Sequence, residues 1–153
     1  MREIVLILQN IRSLHNVGSI FRTADVFGVS KIYLCGYTGA PPRREIAKVA
    51  LGAEDAVPWE KIFWTDTAVK KLRRDGYQIV ALETGRGSIP INQARLAKRL
   101  ALVLGNEVRG VTPAILRRAD QTVGIPLLGK KESLNVSVAA GAALYALRYG
   151  HRP

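Results

Sequence analysis

The chain has 153 residues, 48% of them hydrophobic, which suits one compact domain able to bury a core. Lys and Arg number 23 against 12 Asp and Glu, and the resulting net charge of +11 points to a polyanionic partner. One cysteine and two histidines exclude a disulfide framework and a cysteine-rich zinc site. No apolar run is long enough to span a bilayer or serve as a secretion leader, so the expected setting is a reducing cytoplasm, with neither membrane nor metal as a partner.

In chain order, residues 4–8 are a continuous apolar run and read as a buried strand. Asn16 stands where an N-cap is expected, and Val17, Ile20, Phe21, Ala24 and Phe27 recur at helical spacing up to a stop at Gly28. Residues 32–35 read as a second strand, ending in a core cysteine, Cys35. Residues 37–44 read as a loop, 45–51 as a short helix and 62–64 as a short strand. A helix is expected over 67–75, ended by Gly76. A strand follows over 78–83, then a helix over 92–98 and a strand over 101–104. Thr112 and Pro113 form an N-cap and N1 pair for a helix to Arg118. Residues 121–125 are the last strand, and Ser133 is expected to cap a long Ala-rich helix ending near Tyr149. His15 is expected to hydrogen-bond within its loop, and His151 to lie in a frayed tail.

Strands that alternate with helices and are apolar throughout predict an α/β fold with a parallel sheet covered on both faces. Ligands of such sheets bind beyond the carboxyl ends of the strands, so the segments after Leu8, Glu83, Leu104 and Ile125 are the ones to inspect. A dinucleotide fingerprint is absent, because Gly85-Arg86-Gly87 lacks the third glycine. Gly124 through Gly129-Lys130 approaches a P-loop, but Lys131 stands where the Mg²⁺-ligating Ser/Thr belongs and Pro126 lacks an N–H.

Three segments carry a more specific pattern. They are Asn10…Asn16-Val17-Gly18-Ser19-Ile20-Phe21-Arg22-Thr23-Ala24-Asp25, Leu102-Val103-Leu104-Gly105-Asn106-Glu107-Val108-Arg109-Gly110, and Ile125-Pro126-Leu127…Ser133-Leu134-Asn135-Val136-Ser137. In this order and near strand ends, they resemble the three motifs of the SPOUT superfamily, in its SpoU/TrmH branch of RNA ribose 2′-O-methyltransferases. The resemblance runs from Ile4 to Leu147. It implies one methyltransferase domain over residues 1–153 with no accessory RNA-binding domain, a deep trefoil knot at the C-terminal end of the parallel α/β fold, and a homodimer paired through the knot and the last helix.

The resemblance also implies S-adenosylmethionine as cofactor and a tRNA or rRNA ribose as methyl acceptor. The cofactor would lie among Glu83, Thr84, Leu104, Gly105, Asn106, Gly110, Ile125, Leu127, Ser133, Leu134 and Asn135, with the leucines and Ile125 around the adenine and Gly105 permitting close approach. Arg22 is the implied central catalytic residue, assisted by Asn16, Glu107 and Asn135. A neutral guanidine at pH 7 costs roughly 7 kcal/mol or more, so the expected role of Arg22 is to orient the 2′-hydroxyl and stabilise developing charge. The competing expectation for Arg22 is a surface residue paired with Asp25 or Glu107.

Arg12, Arg43, Arg44, Arg86, Lys130 and Lys131 are expected to follow an RNA backbone, while the aromatic residues show no grouping into a stacking platform. Two other readings compete: an RNA-binding protein that keeps the fold without catalysis, and a nucleotide-binding protein using the degenerate P-loop.

Overall fold

The computed structural model describes residues 1–150; His151 lies outside the described residues. In chain order the elements are β1 (Glu3–Gln9), α1 (Leu14–Val26), β2 (Lys31–Cys35), α2 (Arg44–Ala50), α3 (Ala53–Ala56), β3 (Trp59–Ile62), α4 (Thr65–Arg74), β4 (Gln78–Leu82), β5 (Ile89–Pro90), β6 (Arg99–Leu104), α5 (Pro113–Arg118), β7 (Gln121–Gly124) and α6 (Val136–Tyr149). The seven strands form one sheet in the order β3-β2-β1-β6-β4-β7-β5, and every neighbouring pair is parallel.

Both faces are covered, as apolar strands without polar alternation require. Successive side chains of a strand point to opposite faces, so β1 divides its residues between two cores. Ile4, Leu6 and Leu8 join Val17, Phe21, Leu102, Ala140 and Leu144 under α1 and α6. Val5 and Ile7 join Tyr33, Val69, Leu72, Ile79 and Ile115 under α4 and α5. Cys35 is buried in this second core, and burial pushes its thiol up to about 11, which leaves it protonated and inert at neutral pH.

Several expected boundaries move, each for a local reason. Ser13, not Asn16, caps α1: its hydroxyl accepts the Asn16 amide at 3.1 Å, and the Asn16 side chain is spent elsewhere. His15 consequently sits in the first turn of α1, exposed and with no side-chain hydrogen bond among the described residues. Asn135, not Ser133, caps α6, accepting from the amides of Ser137 and Val138, so the helix starts at Val136.

β3 ends at Ile62, opposite the last residue of β2, and Phe63 and Trp64 lie beyond the sheet. No helix forms over 92–98. Only Ala94 is buried there, too little apolar face to offset the cost of nucleating a helix, and the amide of the preceding Ile91 instead extends the sheet edge by donating to Gly124. Thr112 precedes α5 as expected, but its hydroxyl accepts from Gln9 Nε2 while its amide donates to Gln9 Oε1, a reciprocal pair that ties α5 to the end of β1.

Candidate active site

β6, β4 and β7 are adjacent, and their carboxyl ends open into a shared, mostly apolar cleft. Glu83 and Thr84 enter it after β4, Leu104, Gly105 and Asn106 with Gly110 after β6, and Ile125 and Leu127 after β7. Ser133 and Leu134 close it from the approach to α6. Ten of the eleven residues expected around the cofactor therefore line one cleft. The exception is Asn135, which stands behind it as the helix cap. Leu82, Val136 and Ala139 also line the cleft and escaped the sequence reading, because each reads as ordinary strand or helix core.

The wall formed by the 105–110 loop is held by bonds within the loop and by partners from the ends of β1, β2 and β4. Asn106 and Gly110 bond to each other in both directions across the turn. A Cβ on Gly105 would lie 2.2 Å from the Gly110 carbonyl carbon and the Val111 nitrogen. The close return of the protein's own backbone is by itself enough to demand glycine at 105. Gly110 has φ of 70°, and a Cβ there would meet the Glu83 carboxylate. That carboxylate accepts the Val111 amide at 2.8 Å through Oε2, and Oε1 accepts no hydrogen bond among the described residues. The Asn106 side chain is saturated: its oxygen accepts from the amides of Val108 and Arg109, and its nitrogen donates to the Asn10 carbonyl and the Tyr37 hydroxyl.

Glu107 joins the first and second motifs. Its carboxylate accepts from the amides of Arg12 and Ser13 at 3.0 Å each, and from Asn16 Nδ2 at 3.1 Å. Asn16 Oδ1 in turn accepts from Asn135 Nδ2 at 3.3 Å, which brings in the third motif. Three residues expected to act together are therefore hydrogen-bonded in series. Partial burial pushes the Glu107 carboxyl up, but the amides of Arg12, Ser13 and Glu107 itself, with the Asn16 side chain, outweigh it and hold the pKa below its ordinary value.

Arg22 does not join this chain. It is exposed on α1 and has neither the ion pair with Asp25 or Glu107 that a surface role implies nor a hydrogen bond to Asn16 or Asn135. Six residues separate it from Asn16, which places it about 9 Å further along the helix and about 120° around it.

Arg12, Arg43, Arg44, Arg86, Lys130 and Lys131 are all exposed. The near P-loop fails on geometry: Gly124 ends β7, and an irregular segment rather than a helix N-terminus follows until Asn135. Among the described residues no cluster of three His, Cys, Asp or Glu side chains is arranged to hold a metal ion, and no helix is long and apolar enough to cross a membrane.

A parallel sheet with a cleft at three adjacent strand ends, walled by loops that lock one another, is the architecture of a small-ligand enzyme of the α/β class. The family model described as the SpoU rRNA Methylase family matches residues 3–145, and the chain belongs to that family. It is 35% identical over 148 residues to the tRNA (guanosine(18)-2′-O)-methyltransferase of Aquifex aeolicus, covering 94% of this chain and 68% of that protein.

Its fold matches the AdoMet-bound rRNA methyltransferase of Sinorhizobium meliloti with a TM-score of 0.89 at 32% identity, over 95% of this chain and 56% of that one. The chain thus spans little more than half of the Sinorhizobium protein. A structure concerned with the 2-OH methylation of C/U34 on tRNA matches with a TM-score of 0.84 at 26% identity, over 94% of this chain and 93% of that one.

Proposed function

We propose that the chain is an S-adenosylmethionine-dependent RNA methyltransferase that methylates a ribose 2′-hydroxyl of tRNA. The observation that carries this reading is the cleft built from the second and third motifs and the end of β4, with the Glu107–Asn16–Asn135 chain tying the first motif to both. The cleft fits the cofactor chemically: Leu104, Ile125, Leu127 and Leu134 offer apolar walls for a purine, and Glu83 Oε1 and Thr84 offer polar atoms for a ribose or an ammonium group. S-adenosylmethionine, when bound, supplies an electrophilic methyl group on a sulfonium. The protein's own task is then positioning. The Asn16 and Asn135 amides and the Glu107 carboxylate set the edge of the cleft where the ribose is to lie, and Arg22 orients the hydroxyl and its phosphate and stabilises the charge that develops. Arg12, Arg43, Arg44, Arg86, Lys130 and Lys131 hold the RNA backbone. Relatives named for rRNA make rRNA the second substrate reading.

The reading includes a cytoplasmic homodimer and a trefoil knot within one domain. The insertion of β7 between β4 and β5 is compatible with a threaded C-terminal segment. For the dimer the support is the outer face of α6. Ala140, Ala143, Leu144 and Leu147 are buried against the sheet, whereas Val138, Ala142, Tyr145 and Tyr149 form an exposed stripe at helical spacing. Tyr145 continues this stripe onto α1 through an edge-to-face contact with Phe27, 6.4 Å between ring centroids. Arg22 lies on α1 beside this surface and away from its own chain's hydrogen-bonded series, so it serves the partner's cleft.

Calorimetry with S-adenosylmethionine tests the cofactor reading. Binding that Gly105→Trp abolishes is expected, and a wild-type chain that binds none overturns it. Light scattering at micromolar concentration is expected to give twice the chain mass, and Tyr145→Glu to give a monomer. A fully active monomer contradicts the shared site. Mixing Arg22→Ala with Gly105→Trp chains is expected to restore activity, and no recovery in heterodimers shown to form means that each site is built from one chain.

A further inference from the structure

The fold gathers aromatic residues that are scattered in the sequence. β2 and β3 are parallel neighbours with Cys35 opposite Ile62, so Tyr37 and the pair Phe63 and Trp64 leave the sheet at the same carboxyl edge. The Gly36 amide donates to the Phe63 carbonyl at 2.7 Å and fixes the two exits side by side. All three rings face solvent, with 57%, 58% and 70% of their surface exposed for Tyr37, Phe63 and Trp64. Phe63 and Trp64 stand edge to face, with centroids 5.0 Å apart and planes at 89°. Tyr37, whose hydroxyl accepts from Asn106 at 2.9 Å, forms with Asn106, Arg12, Val108 and Arg109 a second hollow. Asn106 also lines the first cleft, so the two hollows share a wall.

No packing role accounts for these rings. Trp64 caps α4 through its backbone alone. The charge around them favours an anion. Arg12 and Arg109 flank Tyr37 without ion-pair partners among the described residues, the Glu107 carboxylate is occupied by amides, and Asp66, two residues beyond Trp64, is neutralised by Lys70 and Arg118.

We propose that this edge is a stacking surface for unpaired RNA bases. One base rests on Tyr37 in the hollow beside the cleft, a flanking base rests on the Phe63–Trp64 pair, and Arg12 and Arg109 meet the phosphates. The proposal rests on the RNA methyltransferase reading and narrows its substrate class to a loop or single-stranded segment. Bases inside an A-form helix are stacked on one another and out of reach of protein rings, whereas splayed bases stack on aromatic side chains.

The test uses the full chain and a fluorescein-labelled, unstructured oligoribonucleotide of about twelve nucleotides, within the footprint of such surfaces, together with the blunt duplex of the same sequence. Both are titrated at one salt concentration, because phosphate contacts alone make affinity salt-dependent. The wild type is expected to bind the single strand more tightly than the duplex, with quenching of tryptophan emission by the single strand only. The Phe63→Ala/Trp64→Ala variant is expected to lose about tenfold or more in single-strand affinity, with duplex affinity and S-adenosylmethionine affinity unchanged; Trp64→Phe is expected to retain the affinity. Equal affinities for strand and duplex, an unchanged single-strand affinity in the double variant, or a shift of that variant to a smaller assembly each overturn the proposal; the last identifies the edge as an interface between copies. Absence of S-adenosylmethionine binding by the wild type contradicts instead the methyltransferase reading.

Discussion

Arg22→Ala is expected to lower methyl transfer by about 100-fold or more, the range seen when a group that stabilises transition-state charge is removed, while leaving S-adenosylmethionine affinity and thermal stability unchanged. The stability expectation follows from its surroundings. Arg22 is exposed, and its side chain pairs with no carboxylate and makes no hydrogen bond among the described residues, so its loss leaves no polar group stranded. A guanidinium kept free on a helix otherwise tied down on two sides is available for a substrate. Arg22→Lys is expected to fail as well, because a point charge does not reproduce two parallel N–H donors against a phosphate or a ribose oxygen. Single-turnover rates with saturating cofactor, measured beside calorimetric affinity, separate the two effects. Wild-type turnover in Arg22→Ala removes the residue from the mechanism, and a matching loss of cofactor affinity makes it a cleft residue instead.

Glu107 is expected to show the opposite signature, losing stability and activity together. Glu107→Ala strands the Ser13 amide and the Asn16 side chain, and frees the junction between the first and second motifs. The expected loss is about 1–3 kcal/mol of stability and about 100-fold in rate, the scale on which a misplacement near 1 Å acts. Glu107→Gln keeps the volume but offers one acceptor oxygen where the carboxylate offers two, and turns an NH₂ toward other donors, so it is expected to rescue only part.

The pH dependence carries the sign. The folded pKa lies below the unfolded value, so the stabilisation is fully present above the ordinary carboxylate range and is lost as pH falls through the folded pKa. Unfolding midpoints measured from neutral pH down to about pH 3 are expected to fall more steeply for the wild type than for Glu107→Gln. Parallel profiles contradict the role given to this carboxylate.

Much of this architecture was legible in the sequence, for reasons that show where legibility stops. The strands β1, β2, β4 and β6 are apolar runs whose type does not depend on neighbours, and the segments after β1, β4, β6 and β7 carry the three motifs together with Glu83 and Thr84, so the fold class and ten of the cleft residues follow. The caps were misread because Ser13, Asn16, Ser133 and Asn135 are all good capping residues, and the choice between Ser13 and Asn16 is made by Glu107, some ninety residues away in sequence. The return of Gly110 and Val111 over Gly105 is a tertiary event that no local pattern announces. The helix expected over 92–98 lost to the pairing of Ile91 with Gly124, a contact between distant segments. Tyr37 was invisible as a site residue for the same reason: its partner Asn106 and its neighbour Phe63 are assembled only by the strand order.

The central claim is transfer to a ribose, and product analysis tests it most directly. The purified chain is incubated with methyl-tritiated S-adenosylmethionine and bulk tRNA, and the RNA is digested completely to nucleosides and resolved by chromatography. The predicted result is label confined to 2′-O-methylnucleosides, stable to base removal and absent with Arg22→Ala. Label in a methylated base, or RNA that binds together with the cofactor and acquires no label, contradicts the account.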